Sequence, residues 1–157
     1  EVRYPVSQWT FINDATCMSL DSLKFLDSML REYPNITIDL FSHTDARDTD
    51  VKNQVLSENR AKAVYKYLVE QKGIDARRIR PVGKGESEPA TWEDETGQKV
   101  ILTEAYINQF KTSDPAKFQK LHQINRRTTA KITGTDFNPE TAPPANPEYS
   151  VFKPLPR

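Results

Sequence analysis

The sequence predicts an α/β fold of the α+β kind, in which elements alternate as β-α-β-α-β before an inserted helical segment and a last strand. Asn35–His43 alternates apolar and polar residues with the period of a strand. Ser19–Tyr33 and Val51–Lys72 repeat apolar residues every three or four positions, as amphipathic helices do. With 157 residues, 36% of them hydrophobic, the chain suits one domain with one core.

The chain begins with a short strand and a helix. Val2–Val6 is predicted as a strand limited by Pro5, and residues 7–17 as an irregular loop. The helix starts with Ser19 as its N-cap and ends before Pro34. Its apolar stripe consists of Leu20, Leu23, Leu26, Leu30 and Tyr33.

The middle of the chain continues the alternation of strand and helix. After the Asn35–His43 strand, the helix Val51–Lys72 ends where Gly73 can adopt a positive φ. Ile79–Val82 then supplies the next strand, before a turn at Gly83-Lys84-Gly85.

Residues Ser87–Ile124 interrupt this order and are predicted as an insertion. Trp92–Gly97 is acidic and loop-like, and two short helices are expected, from Thr103 to Phe110 and from Ser113 to Ile124. Asn125–Thr133 has strand character again.

The sequence after Gly134 holds six of the eleven prolines, which predicts an extended tail on the surface. We therefore expect a domain at 1–134, with the helical insertion at 87–124, and a proline-rich tail at 135–157. Because the chain opens on Glu1 without an initiating methionine, we expect it to be a fragment of a longer protein.

Composition excludes several classes of function. Lysine plus arginine (22) equals aspartate plus glutamate (22), so the basic excess of a nucleic-acid binder is missing. No apolar run is long enough to span a bilayer, so no direct membrane insertion of this fragment is expected.

Neither a cofactor nor a metal is expected. The turn at Gly83-Lys84-Gly85 lacks the spacing of a phosphate loop. The carboxylates Asp45, Asp48 and Asp50 lack the glycine and glutamate of a calcium loop. His43 has no nucleophile beside it, which favours a structural histidine over a general base.

One charge lies in an unusual place. Arg60 falls in the apolar stripe of the second helix, between Leu56 and Val64, so its guanidinium needs a partner. Asp45, just past the carboxyl end of a strand, could pair with Arg60 in a structural ion pair. Alternatively, Asp45 and Arg60 could flank a crevice that binds a zwitterion, with its ammonium on Asp45 and its carboxylate on Arg60. Spacing alone does not decide between the structural ion pair and the binding crevice.

A set of ordered motifs resembles the OmpA-like peptidoglycan-binding domain of OmpA, the Pal lipoproteins and the MotB stators. The motifs are SHTDARDTDVKNQVLSENRAKAVYKYLVEQKGI, RIRPVGKGESEP and NRRT. The resemblance implies a βαβαβ…β sandwich, with a small mixed sheet covered by helices on one side. Within the insertion, VILTEAYINQF and KLHQINRRT resemble versions from Bacteroidetes.

The resemblance implies noncovalent binding of the diaminopimelate in the peptidoglycan stem peptide, without enzymatic activity. Asp45 would hold the ammonium and Arg60 the carboxylate, so that Arg60 is expected to be exposed to a crevice. Thr44, Asn53 and Leu56 match other residues of that pocket. Of the closing pair, Arg126 and Arg127, we expect Arg127 to be the ligand contact.

The resemblance also implies an environment and partners. It places the domain in the periplasm, associated with the outer membrane and the cell wall, at the C-terminal end of an envelope protein. Peptidoglycan is the implied partner, with envelope or secretion-complex proteins as further candidates. Ser42 and Asp48 replace family glycines, and they motivate the alternative of a protein-interaction or scaffold domain with a drifted pocket.

Overall fold

The computed structural model of the chain describes residues 1–5, 8–14 and 17–156, with the backbone alone for 13–14 and 17–18. Its elements, in chain order, are β1 (Val2–Arg3), β2 (Asn13–Asp14), β3 (Cys17–Met18), α1 (Ser19–Glu32), β4 (Thr37–Ser42), α2 (Asp50–Lys66), β5 (Ile79–Gly83), β6 (Thr91–Glu93), β7 (Lys99–Ile101), α3 (Glu104–Asn108), α4 (Pro115–Asn125) and β8 (Arg127–Gly134).

A four-stranded mixed sheet forms the centre of the domain, in the order β1-β8-β4-β5. The last strand, β8, runs antiparallel to both β1 and β4, whereas β4 and β5 are parallel. The expected alternation of strands and helices around a small mixed sheet is confirmed.

The helices α1 and α2 pack on the face of the sheet that carries Ile38 and Leu40. Alternation along β4 places these two side chains on one face, where they are 1% and 0% exposed. Leu23 and Leu30 of α1 and Val64 of α2 complete the same core. The predicted helix at 19–33 is therefore confirmed.

Both sides of α2 are covered. Its inner side presents Leu56, Arg60, Val64 and Leu68 at every fourth position, and all four are buried. A wider turn at Tyr67–Gln71 continues the helix, and Gly73 ends it with a φ of +74°. The helix thus covers the segment predicted for it.

The C-terminal tail covers the outer side of α2. Asn59 donates from Nδ2 to the carbonyl of Lys153 (2.7 Å) and accepts from its backbone N–H (2.8 Å). Lys62 and Lys66 donate to the carbonyls of Val151 and Ser150, both at 3.0 Å. The tail lies on the surface as expected, but it is bound along the helix rather than free.

The insertion folds on a small core of its own, built from Leu102, Ile107, Leu121 and Ile124. Thr103 and Asp114 cap the two helices, which lie within or close to the predicted segments 103–110 and 113–124. The loop expected at 92–97 is wrong at its first residues, because Trp92 and Glu93 belong to the hairpin β6–β7. Three-residue strands are too short for an alternating pattern to show.

The first segment also contains a hairpin that its sequence pattern did not indicate. Within the predicted strand Val2–Val6, only Val2–Arg3 pairs in the sheet, and Val6 lies outside the described residues. The expected loop at 7–17 holds the antiparallel pair β2–β3, while Ser7, Ala15 and Thr16 lie outside the described residues.

Among the described residues, none of the helices combines the length and the apolar character that crossing a membrane requires.

Candidate functional site

A small cavity lies where the loop after β4 meets the start of α2 and the end of α4. It encloses about 80 Å³ and is lined by Thr44, Asp45, Arg47, Asp48, Asn53, Leu56, Arg60 and Arg126. The structure therefore brings together six of the seven residues that were expected to bind the ligand. The seventh, Arg127, is not in the lining.

Asp45 is the negative centre of the cavity, and two arginines hold it. Arg126 donates from Nη1 to Oδ2 at 2.8 Å, and Arg47 donates from Nη2 to Oδ2 at 2.9 Å and from Nε to Oδ1 at 3.2 Å. Burial alone would raise the pKa of Asp45, but these hydrogen bonds outweigh it and hold the pKa at about 2. The carboxylate is therefore ionised at any physiological pH.

Arg60 is fully buried rather than exposed to a crevice, which corrects the expectation from the resemblance. Its guanidinium donates to the carbonyls of Gln8 (2.8 Å), Pro5 (3.0 Å) and His43 (3.5 Å). It also lies 5.0 Å from the centre of the Tyr4 ring. Burial lowers the pKa of Arg60 to about 10, so the group stays cationic at neutral pH.

The ion pair between Asp45 and Arg60, one of the two alternatives left open by the sequence, does not form. Within the described residues, the ion pairs of Asp45 go to Arg47 and Arg126. Arg60 uses backbone carbonyls instead, and three of its five N–H groups suffice for those bonds. Both charges therefore line one cavity without neutralising each other directly.

Three less polar residues complete the lining that the sequence predicted. Thr44 is 4% exposed, and its hydroxyl has no hydrogen-bond partner among the described residues. Asn53 fixes the loop by donating from Nδ2 to the carbonyl of Asp48 at 3.2 Å. Leu56 supplies an apolar wall. The buried, unpaired hydroxyl of Thr44 is a group that a ligand could satisfy.

Only one arginine of the closing pair reaches the cavity, and it is Arg126. Arg127 is the first residue of β8, and its side chain turns away to the carbonyls of Glu88 (3.2 Å) and Asn125 (3.5 Å). Arg126 is the C-cap residue of α4 and Arg127 opens β8, and their side chains leave the backbone toward different partners. The preference for Arg127 over Arg126 is not supported by this placement.

Ser42 and Asp48, the two departures from the family's glycines, have different surroundings. Ser42 is fully buried and its hydroxyl bonds to that of Thr128 across β4 and β8, outside the cavity lining. Asp48 does line the cavity, accepts from the backbone N–H of Thr49 at 2.8 Å and lies 3.9 Å from the Lys52 ammonium. Of the two substitutions, only Asp48 adds charge near the site.

Arg47 and Gln119 are site residues that sequence reasoning missed. Arg47 binds Asp45 and also donates from Nη1 to Oε1 of Gln119 at 2.9 Å. Gln119 belongs to α4, so the insertion reaches the wall of the cavity. The spacing Asp45-Ala46-Arg47 was the available signal, since a short loop lets an arginine fold back on an aspartate two residues earlier.

Two buried histidines lie near the site and are neutral at pH 7. His43 and His122 are 3% and 0% exposed, and burial lowers the pKa of each to about 4. Arg127 and Lys84 add to the effect at His43, and Arg47 and Arg126 add to it at His122. Within the described residues, Nδ1 of His43 and both ring nitrogens of His122 have no hydrogen-bond partner.

The arrangement suits recognition of a small charged group. The cavity is lined by the ionised carboxylate of Asp45, the carboxylate of Asp48 and buried guanidinium groups, in a space about as large as one amino-acid head group. In the part of the chain that the structure describes, no three side chains of the His, Cys, Asp or Glu type gather as metal ligands do. Groups of both charges around so small a space can hold a charged ligand noncovalently.

Comparison with known proteins gives a family match in sequence. The family model described as the OmpA family matches residues 18–101. Outer membrane porin F of Pseudomonas aeruginosa is 41% identical over 71 residues, which cover 45% of this chain and 20% of the porin. The chain spans less than a third of the length of the curated relatives it matches.

Solved structures agree on the fold. The peptidoglycan-associated lipoprotein from Burkholderia pseudomallei superposes with a TM-score of 0.52 at 18% identity, covering 83% of this chain and 86% of that one. The periplasmic domain of Helicobacter pylori MotB gives a TM-score of 0.54 at 14% identity, covering 89% and 74%. The match of the family model includes Asp45 and Arg60 but ends before α3, α4 and Arg126.

Proposed function

The chain belongs to the OmpA family, and we propose that its domain binds peptidoglycan noncovalently through the diaminopimelate residue of the stem peptide. One observation carries the proposal: Asp45 and Arg60, of opposite charge and not paired with each other, line the same small cavity. Diaminopimelate carries an ammonium and a carboxylate on one carbon, which is the charge pattern that such a cavity complements.

Each group of the ligand has a candidate partner in the cavity. The ammonium would bind the carboxylate of Asp45, and the carboxylate would bind the guanidinium of Arg60, with Arg126 adding positive charge beside it. Thr44 could hydrogen-bond either group through its unpaired hydroxyl. Asn53 and Leu56 would shape the remaining walls.

The size of the cavity limits what it can hold. A volume of about 80 Å³ admits one amino-acid head group rather than a disaccharide. With so few contacts, the affinity for one muropeptide should be modest, on the order of micromolar to millimolar. The cell wall repeats the ligand many times, so a protein with this domain can still be retained on it.

The family and the names of the relatives support an anchoring role. OmpA-like domains are binding or structural domains rather than enzymes. Porin F is named for the outer membrane, and one structural neighbour is called a peptidoglycan-associated lipoprotein. We therefore place this domain in the periplasm, where it ties an envelope protein to the wall. A link to secretion machinery and the Bacteroidetes type of the insertion stay predictions.

The test is a binding titration with defined muropeptides. Calorimetry of a meso-diaminopimelate muropeptide should show saturable binding by the wild type and at least tenfold weaker binding by Asp45→Ala. Arg77→Ala, which removes an arginine far from the cavity, should bind as the wild type does. Equal affinity of wild type and Asp45→Ala would contradict the site.

One observation favours a second function, that of a protein-interaction or scaffold domain. The carboxylate of Asp45 already accepts hydrogen bonds from two arginines, so in the free protein its acceptor positions are occupied by the protein's own side chains. A lysine-type stem peptide that binds no worse than the meso-diaminopimelate form would favour this function.

A further inference from the structure

The hydrogen-bonding capacity of Asp45 is filled from within the chain. Arg47 donates three times, from its backbone N–H (3.2 Å), Nε (3.2 Å) and Nη2 (2.9 Å), and Arg126 donates once at 2.8 Å. A carboxylate offers about four acceptor positions. An ammonium that arrives at Asp45 must therefore displace one of its present donors.

The two donors of Asp45 are not equally fixed. The side chain of Arg126 is 8% exposed, and its Nε donates to the carbonyl of Tyr4 at 2.8 Å. The side chain of Arg47 is 27% exposed, and its further bond goes to Gln119, a side chain on the inserted helix. Arg47 is thus the donor that can leave toward solvent, whereas Arg126 is held in the interior.

We propose that Arg47 is an internal competitor of the ligand: it occupies on Asp45 the place of an incoming ammonium, and Gln119 of the insertion holds it there. This inference rests on the proposed function. The exchange replaces one cation by another, so the charge balance around Asp45 is preserved. Only the fraction of molecules in which Arg47 has left Asp45 can bind, and the apparent affinity falls in proportion to that fraction.

The arrangement at Arg47, in which an arginine donates from its backbone N–H, Nε and Nη2 to an aspartate two residues earlier, is called a clamp. The chain forms the same clamp at a place away from the cavity. In Asp75-Ala76-Arg77, Arg77 donates to Asp75 from its backbone N–H (3.0 Å), Nε (3.0 Å) and Nη2 (2.6 Å), and from Nη1 to the carbonyl of Pro139 (2.8 Å). The clamp is therefore a local structure that an Asp-Ala-Arg turn forms by itself. Substitution of Arg77 changes net charge and clamp in the same way as substitution of Arg47, which makes it a matched control.

The experiment compares muropeptide affinities of four proteins. A clamp of moderate strength predicts that Arg47→Ala binds a meso-diaminopimelate muropeptide about tenfold more tightly than the wild type, and Gln119→Ala about threefold. Arg77→Ala should leave the affinity unchanged. Loss of a positive charge would weaken attraction to an anionic ligand, so bulk electrostatics cannot produce the expected gain.

A second measurement does not depend on the variants being well folded. The Nε–H signal of Arg47 in nitrogen-15 NMR of the wild type should be protected from solvent exchange in the free protein and lose that protection at saturating muropeptide. The Nε–H of Arg60, bound to the carbonyl of Gln8, should stay protected throughout.

The possible outcomes distinguish the competitor role of Arg47 from the proposed binding of peptidoglycan. If no protein in the set binds the muropeptide, the proposed function fails and the competitor role fails with it. If the wild type binds in an Asp45-dependent way but Arg47→Ala binds equally or more weakly, Arg47 is part of the ligand site and the competitor role alone is overturned. A gain in Arg77→Ala that equals the gain in Arg47→Ala overturns it as well, as does an Arg47 signal that stays protected in the complex.

Discussion

Removal of the Arg60 side chain should weaken the fold as well as the site. Arg60 is fully buried and joins α2 to the segment after β1 through the carbonyls of Gln8 and Pro5. Two short hydrogen bonds from a charged donor contribute about 1.5–3 kcal/mol each, and the 3.5 Å contact to His43 adds little. Relief from burying a charge offsets part of this sum, so Arg60→Ala should lower the free energy of unfolding by about 3 kcal/mol.

Urea unfolding followed by circular dichroism measures this loss. With an m value of about 2 kcal/mol/M, the midpoint of Arg60→Ala should fall by about 1.5 M. Arg60→Lys should recover part of the difference, because an ammonium keeps the charge but cannot span the same carbonyls. Arg77→Ala, which removes a partly exposed guanidinium, should cost no more than about 1 kcal/mol.

An Arg60→Ala protein as stable as Arg77→Ala, to within about 0.5 kcal/mol, would show that the buried hydrogen bonds of Arg60 do not stabilise the fold. The result also decides how binding data are interpreted. If Arg60→Ala is strongly destabilised, its loss of muropeptide binding must be measured where the variant is still folded, and Arg60→Lys becomes the more informative variant.

Three further predictions concern pH, packing and the tail. The pKa of Asp45 is depressed to about 2, so the stability that its ionised form contributes is present above the unfolded pKa near 3.8 and lost as pH falls toward 2. In urea unfolding, the stability advantage of wild type over Asp45→Asn should therefore shrink by about 2 kcal/mol between pH 5 and pH 2. A constant difference would contradict the ion pairs. Gly83→Ala should lower the free energy of unfolding by about 2 kcal/mol, because an added Cβ would lie 2.6 Å from the backbone nitrogen of Glu58. Gly97→Ala, at a positive φ with only Glu93 nearby, should lower it by about 1 kcal/mol in the same thermal or urea unfolding. Equal losses would argue against the close approach of β5 and α2. Asn59→Ala should speed proteolysis of the tail, because both hydrogen bonds to Lys153 are lost, and an unchanged cleavage rate would show that other contacts hold the tail.

The buried histidines give one more expectation for acid pH. Burial holds the pKa of His122 at about 4, so the unfolded chain binds more protons than the folded one between pH 6.5 and 4, and stability falls as pH is lowered through that window. His122→Leu should therefore keep its stability at pH 7 to within about 1 kcal/mol and lose less of it on going to pH 4.5. A parallel loss in both proteins, measured by urea unfolding, would exclude His122 as a source of acid lability.

Strong periodic patterns made the main elements predictable. β4 carries Ile38 and Leu40 on its core face, and α2 carries Leu56 and Val64 on its inner side, so these apolar residues repeat at the period of their element. Short elements carry no such repeat. The pairs β2–β3 and β6–β7 have only two or three residues per strand. β6–β7 also depends on a local turn, in which the Asp94 carboxylate accepts from the backbone N–H of Thr96 at 2.9 Å and of Gln98 at 3.0 Å.

The residues of the candidate site could be predicted from the sequence better than their hydrogen-bond partners. A helical period placed Arg60 on the buried side of α2, but the carbonyls of its two shorter hydrogen bonds come from residues more than fifty positions earlier, which no local pattern reveals. The same limit applies to Gln119, which reaches Arg47 across 72 positions of the chain. Choosing between Arg126 and Arg127 required the starting residue of β8, because that residue decides which side chain turns inward.

We propose that the cavity between Asp45 and Arg60 receives the zwitterionic end of diaminopimelate. The most direct measurement is an NMR titration of the nitrogen-15-labelled domain with a meso-diaminopimelate muropeptide and with its lysine-type counterpart. The backbone signals of Thr44, Asp45, Asn53 and Leu56 should shift with the meso-diaminopimelate form and much less with the lysine form. Equal shifts with both ligands, or shifts confined to residues outside the cavity, would contradict it.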